Sequence, residues 1–121
     1  MSYDDNNIFA KILRGEIPCN KIYEDDFVLS FHDINPQKKI HALVIPKGKY
    51  IDLDDFSQNA SSEEMVGLLK GINTVVKKLG ISVDIGKGYR ALSNISEDGG
   101  QEVPHLHFHL FGGEKVGKMV S

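Results

Sequence analysis

A single cysteine, Cys19, in a chain of 121 residues leaves no partner for an intramolecular disulfide and no paired CxxC clusters for zinc. A reducing compartment is the corresponding expectation. Basic charge is also short: 14 lysines and arginines stand against 17 aspartates and glutamates, a formal charge of -3. That balance gives no electrostatic footprint for nucleic acid or for an anionic membrane, so any phosphate chemistry has to depend on a local site. No apolar run approaches the ~20 residues that span a bilayer. The opening stretch MSYDDNNIF is acidic and polar, where a secretory signal is basic and then apolar. Repeats, low-complexity tracts and long linkers are missing as well. What is there, 40% hydrophobic and 26% charged residues in a length suited to one core, reads as a single soluble cytoplasmic unit with no nucleic-acid or membrane partner.

Asp5, Asn6 and Asn7 offer caps for a short helix in which Ile8, Phe9, Ile12 and Leu13 share a stripe, closed by Gly15 and Pro18. Lys21 to Glu24 and Phe27 to His32 read as a hairpin around Asp25-Asp26, and His41 to Ile45, closed by Pro46, as a buried strand. Lys47 to Asn59 is polar and reads as loop. Ser61 and Glu64 form a capping box ahead of Met65, Leu68, Leu69, Ile72, Val75, Val76 and Leu79, whose spacing covers one helical face of about 120°. Gly80 ends that helix, and Gly67 and Gly71 fall towards its outer face, where each costs ~1 kcal/mol relative to alanine. Gly88 to Ile95 and Pro104 to Phe111 are strand-like, with SEDGG as the turn-forming stretch between them. The pattern is α+β, with two helices and about five strands.

Three of the five histidines fall in alternation within PHLHFHLFGG. In an extended segment His105, His107 and His109 share one face, with Cα atoms about 6.6 Å apart, and Leu106, Phe108 and Leu110 share the other. A helix would scatter them. Near neutral pH imidazole serves as nucleophile, proton donor or metal ligand. The residues alone therefore leave three readings open: a solvated sheet face, a zinc, iron or copper site that Glu102 and His41 could complete, and cooperative chemistry on one substrate.

The segment HLHFHLFGG resembles the signature of the histidine triad (HIT) proteins. NIFAKILRGEIPCNKIYED, FHDINPQ, HALVIPK and GYRALSNISEDGGQ resemble, in the same order, segments of the histidine triad nucleotide-binding (Hint) branch. The likeness covers most of residues 6–113 and leaves 114–121 as a tail. It implies an α+β, HIT-like fold of a single domain over residues 1–121, with a five-stranded, mostly antiparallel sheet and two helices. It also implies a homodimer whose two sheets join, with the long helices and the strand around Gly88 to Asn94 at the interface.

The implied activity is hydrolysis of purine nucleoside phosphoramidates without metal or cofactor. His107 matches the nucleophile that attacks the α-phosphorus and forms a nucleotidyl-histidine, which water resolves. His105 matches a positioning residue, at or near which a backbone carbonyl holds Nδ1 of the nucleophile; His109 matches the phosphate-contacting residue that eases departure of the leaving group; His41 matches a buttress of the triad. Ile8, Phe9, Ile12, Ile17, Phe31 and Ile34 match an apolar slot for the purine, with His32 beside the base and Asp33 on the ribose hydroxyls. Asn94, Gly100, Gln101 and Glu102 match positions around the α-phosphate. Read without the family, the apolar residues are core, Asp33 is a turn former and His41 is structural.

Two departures bear on substrate choice. Glu102 stands where many Hint relatives carry serine, which puts an anion next to an anionic substrate unless the side chain points away or the leaving group is cationic. The tail EKVGKMVS lacks the aromatic, proline-containing ending of many animal relatives, which shapes the leaving-group side. The alternatives are a dinucleoside polyphosphate hydrolase and a nucleotide-binding partner protein with little turnover.

Overall fold

Asp25 builds the first turn of the sheet: its Oδ1 accepts from the backbone N–H groups of Phe27 and Val28 at 2.7 and 2.9 Å, which turns the chain between two extended segments. The computed structural model describes residues 2–120, so Met1 and Ser121, the ends of the expected domain, lie outside the described residues. The strands are β1 (Lys21–Glu24), β2 (Val28–His32), β3 (Ile40–Pro46), β4 (Arg90–Leu92) and β5 (Phe108–Gly112). They form one sheet in the order β1-β2-β3-β5-β4, and every pairing is antiparallel. The expected helices are α1 (Ile8–Leu13) and the long α3 (Ser62–Lys78), with α2 (Leu53–Asn59) between them in the chain order and a short 3-10 turn at Val83–Ile85.

β3 is central and buried on both sides, which is why HALVIP reads as a continuous apolar run instead of an alternation. Ala42 and Val44 share one core with Val28, Leu106, Leu110 and the α3 residues Leu68, Ile72, Val75 and Val76. Leu43 and Ile45 share the other with Phe9, Leu29 and Phe31. The capping box at the start of α3 is formed: Ser61 Oγ accepts from the Glu64 N–H, and Glu64 Oε1 accepts from the Ser61 N–H.

Three expectations need correction. The stretch Lys47 to Asn59 is not all loop, because Asp52 caps α2 by accepting from the Asp55 N–H at 2.8 Å, and Phe56 anchors the helix edge-on against Tyr50. One apolar anchor in seven residues is too few to produce a visible period. Leu69 leaves the buried stripe of α3 and is 68% exposed. Gly67 and Gly71 face the sheet, not the outside: a Cβ on Gly67 would lie 2.5 Å from Phe27 Cγ, and one on Gly71 2.7 Å from Val28 Cγ2. Their missing side chains let α3 approach β2 closely. A pattern search that counts glycine as non-apolar assigns them to the wrong face.

Gly71→Ala tests this contact. Val28 is fully buried and β-branched, so its methyl has little room to yield. Overpacking costs ~1–3 kcal/mol, against the ~1 kcal/mol that alanine returns in helix propensity. The urea midpoint should fall; an unchanged or higher midpoint would show that the helix is not held close by this glycine.

Candidate active site

Regular strand geometry begins only at Phe108, so His109 lies in β5 while His105 and His107 lie on the irregular approach to it. This corrects the expected strand from Pro104. The alternation survives nonetheless: Leu106 and Leu110 are buried in the core under α3, and the rings of His105 and His107 reach Phe9 on the opposite side at 6.4 and 4.9 Å between centroids. Individual hydrogen bonds replace the missing ladder. The Leu106 N–H donates to the Tyr50 carbonyl at 2.8 Å, the Gln101 amide donates to the carbonyls of Ile51 and Val103, and the Ser93 hydroxyl donates to the His107 carbonyl.

The proton positions follow from partners that can only accept or only donate. His105 donates Nε2–H to the Pro46 carbonyl at 2.9 Å, so its Nδ1 is an acceptor, and the Tyr3 hydroxyl is the donor there. His107 donates Nδ1–H to the carbonyl of His105 at 2.8 Å, which leaves a lone pair on Nε2. Among the described residues no buried side-chain nitrogen or oxygen lacks a partner. Nε2 of His107 has no hydrogen bond among them.

On the other side of the site the Gln37 N–H donates to Nδ1 of His41, which puts the His41 proton on Nε2. That proton points to Nδ1 of His109 at 2.9 Å, with Asp33 Oδ2 3.4 Å from the same His41 nitrogen. His109 therefore carries its own proton on Nε2. Its ring centroid lies 5.1 Å from that of His107, and Phe111 stacks parallel to it at 5.8 Å.

Burial keeps these rings neutral. It lowers the pKa of His105 to about 4, with the Pro46 carbonyl opposing. It lowers that of His109 to about 4, helped by the neighbouring His107 and His41. His107 and His41 are also lowered, again chiefly by burial, with the charges of Asp33 and, at His107, Glu102 opposing. Among the described residues, the groups that could hold a metal ion are Asp33, His41 and His109, whose ligand atoms lie within 4.8 Å of one another. This trio includes His41 but takes Asp33 where Glu102 was expected. The 2.9 Å separation of the two ring nitrogens is that of a shared proton.

Of the expected nucleoside slot, the structure brings together Phe9, Ile12 and Phe31, with Phe9 edge-on to Phe31 at 5.7 Å and to His107. Ile8 and Ile34 are 43% and 88% exposed and, like the half-buried Ile17, do not join this cluster. Leu43, Ile45, Cys19 and Val103 join it instead. His32 ends β2 half-buried, and Asp33 follows it with Oδ1 accepting from the Asn35 N–H, as a turn former does. Asn94 donates to the Gly99 carbonyl, and Gln101 Oε1 accepts from the Ser96 N–H, so both side chains hold the loop in shape. Gly100 takes a φ of 75°, and Glu102 is exposed. Tyr3 and Gln37 were missed; the first contact spans 102 positions in the chain and leaves no local signal.

Comparison with known proteins gives a consistent match. The pattern of the HIT domain matches residues 14–116. An uncharacterised HIT-like protein of Azospirillum brasilense is 52% identical over 99% of this chain and 96% of its own. The purine nucleoside phosphoramidase of Escherichia coli is 39% identical over 97% of this chain and 95% of its own. Among solved structures, a HIT family hydrolase from Clostridium thermocellum superimposes with a TM-score of 0.84 at 35% identity, covering 98% of this chain and 99% of the other.

The neutral histidines make stability depend on pH in a defined direction. Below 6.5 the unfolded chain takes up protons that folded His105 and His109 refuse until about 4. Stability is then present above that window and is lost as the pH falls through it. The urea midpoint should decline steadily from pH 6.5 towards 4, less steeply in His109→Gln; a flat profile in the parent would contradict the buried neutral triad.

Proposed function

The chain belongs to the HIT domain family, and from that premise we propose that it is a cytoplasmic hydrolase that releases AMP or GMP from purine nucleoside phosphoramidates through a covalent nucleotidyl-histidine. The observation that carries this reading is the tautomer of His107. Its Nδ1–H is spent on the His105 carbonyl, and the Nε2 lone pair stands open beside the aromatic cluster around Phe9. A neutral imidazole held this way is a ready nucleophile for phosphorus.

In the first step Nε2 of His107 attacks the α-phosphorus and the bond from phosphorus to the amine breaks. The anionic phosphate draws a proton onto the pair formed by His109 and His41, with Asp33 supporting the positive charge, and His109 Nε2–H passes a proton to the departing nitrogen. In the second step water gives a proton to His109 and attacks phosphorus, and the bond to His107 breaks. Each proton is returned, and no step calls on a metal or cofactor.

The purine is taken to lie on Phe9, Ile12 and Phe31, bordered by Ile8, Ile17, Ile34 and His32, with a ribose hydroxyl on Asp33. Carboxylate oxygens have lone pairs to spare beyond the contacts to Asn35 and His41. The backbone at Gly100, in the turn held by Asn94 and Gln101, is taken to face the phosphate. Glu102, whose charge favours a proton on His107, suits a leaving group that carries positive charge. The protein is further taken as a homodimer: Val66 and Leu69 of α3 are 51% and 68% exposed, and the edge strand β4 offers unpaired backbone groups that a second copy can cover.

The decisive experiment is rapid quenching of the parent with an adenosine phosphoramidate, followed by mass spectrometry, which should show AMP on the peptide containing His107. His107→Asn should still bind AMP but lose turnover by many orders of magnitude. Retention of more than about 1% of the parental rate in a clean preparation would sink the nucleophile assignment.

Turnover should also survive exhaustive chelation. Loss on EDTA, restored by one equivalent of a divalent metal, would move the chemistry to the trio of Asp33, His41 and His109. A diadenosine polyphosphate assayed beside the phosphoramidate decides between the two substrate classes.

A further inference from the structure

We infer that Tyr3, in the segment ahead of α1, is a positioning residue for the nucleophile: its hydroxyl fixes the His105 ring, and through it the carbonyl on which His107 hangs. Two geometric facts support this. First, His105 is fully buried, and its two ring nitrogens have one partner each. Pro46 offers a carbonyl, which only accepts, so the ring proton sits on Nε2 and Nδ1 needs a donor. The Tyr3 hydroxyl fills that need at 2.5 Å, with the phenol ring edge-on to the imidazole at 5.6 Å. Second, residues 104–107 lie outside β5, so the orientation of the His105 carbonyl depends on local ties and not on a sheet ladder. Clamping both nitrogens of the His105 ring is one such tie, and the carbonyl of the same residue receives Nδ1–H of His107 at 2.8 Å.

The segment that follows Tyr3 is itself tied down. The Asp5 carboxylate pairs with Lys49 at 2.8 Å, the Asp5 carbonyl accepts from the Arg14 guanidinium at 2.8 Å, and Asn7 caps α1. Burial raises the pKa of the phenol, which keeps it a donor. Removing the hydroxyl leaves Nδ1 of His105 as a buried acceptor with no partner. The ring keeps its proton on Nε2 for Pro46 but loses its second tie, so it can swing about that one bond and carry the carbonyl under His107 with it.

The activity part of the test rests on His107 being the nucleophile, whereas the spectroscopic part does not. In the parent, nitrogen NMR of 15N-labelled histidine should find His105 neutral, with the proton on Nε2 and Nδ1 hydrogen-bonded. In Tyr3→Phe, which keeps the ring and removes only the hydroxyl, the Nδ1 resonance of His105 should move towards that of a free pyridine-type nitrogen, and the Nδ1–H signal of His107 should shift with it. With an adenosine phosphoramidate, kcat should fall roughly 10-fold with KM within about twofold, inside the about 100-fold that a 1 Å misplacement costs.

A parent His105 protonated on Nδ1 overturns the inference outright. So do unchanged His105 and His107 resonances in the variant, or an unchanged kcat. If the parent itself turns over no phosphoramidate, the proposed activity fails, and the His107 resonance alone decides the positioning role.

Discussion

The hydrogen bond from Nδ1–H of His107 to the carbonyl two residues back determines what the surrounding fold has to supply. A backbone carbonyl is a good tautomer lock only if its peptide plane is fixed. The chain at that point has left the regular strand, so its plane is fixed piecemeal: by Tyr50 and Ser93 on the backbone, by Gln101 on the preceding turn, and by Pro46 and Tyr3 on the His105 ring. These contacts come from widely separated parts of the sequence. The central sheet, with β3 buried on both faces, is the rigid reference against which they are set.

Neutrality is the second requirement. Four imidazoles lie within one small region, and protonating several at once would set like charges against one another at about 5 Å. Burial lowers all four pKa values, and each ring that donates has a partner able to accept. The arrangement sorts the rings by exposed atom: His107 presents a lone pair, His109 presents N–H. Two adjacent side chains of the same type thereby take opposite chemical characters, set only by what holds their other nitrogen.

Much of this was legible in the sequence because it is local. The capping box of Ser61 and Glu64, the turn at Asp25, the doubly buried run HALVIP and the alternation around His107 each declare themselves within a few residues. The losses have physical causes. α2 depends on a cap and one aromatic anchor, below the threshold at which period shows. Gly67 and Gly71 act by the absence of atoms, which a hydrophobicity pattern cannot register. The clustering of Phe9, Ile12 and Phe31 without Ile8, Ile17 and Ile34 depends on where α1 docks, and the contact from Tyr3 to His105 joins opposite ends of the chain.

Tyr50 belongs to two structures at once. Its hydroxyl donates to the Glu64 carboxylate that closes the cap of α3, and its carbonyl receives the Leu106 N–H on the approach to the triad. Burial and the neighbouring Glu64 push its pKa up to about 12, so the phenol stays a donor across the working pH range. The first turn of the long helix and the segment that carries His107 are therefore joined through a single residue. Fraying at the start of α3 would take away the partner of the Tyr50 hydroxyl, one of the ties on the residue whose carbonyl receives the Leu106 N–H, although the two belong to different layers of the fold.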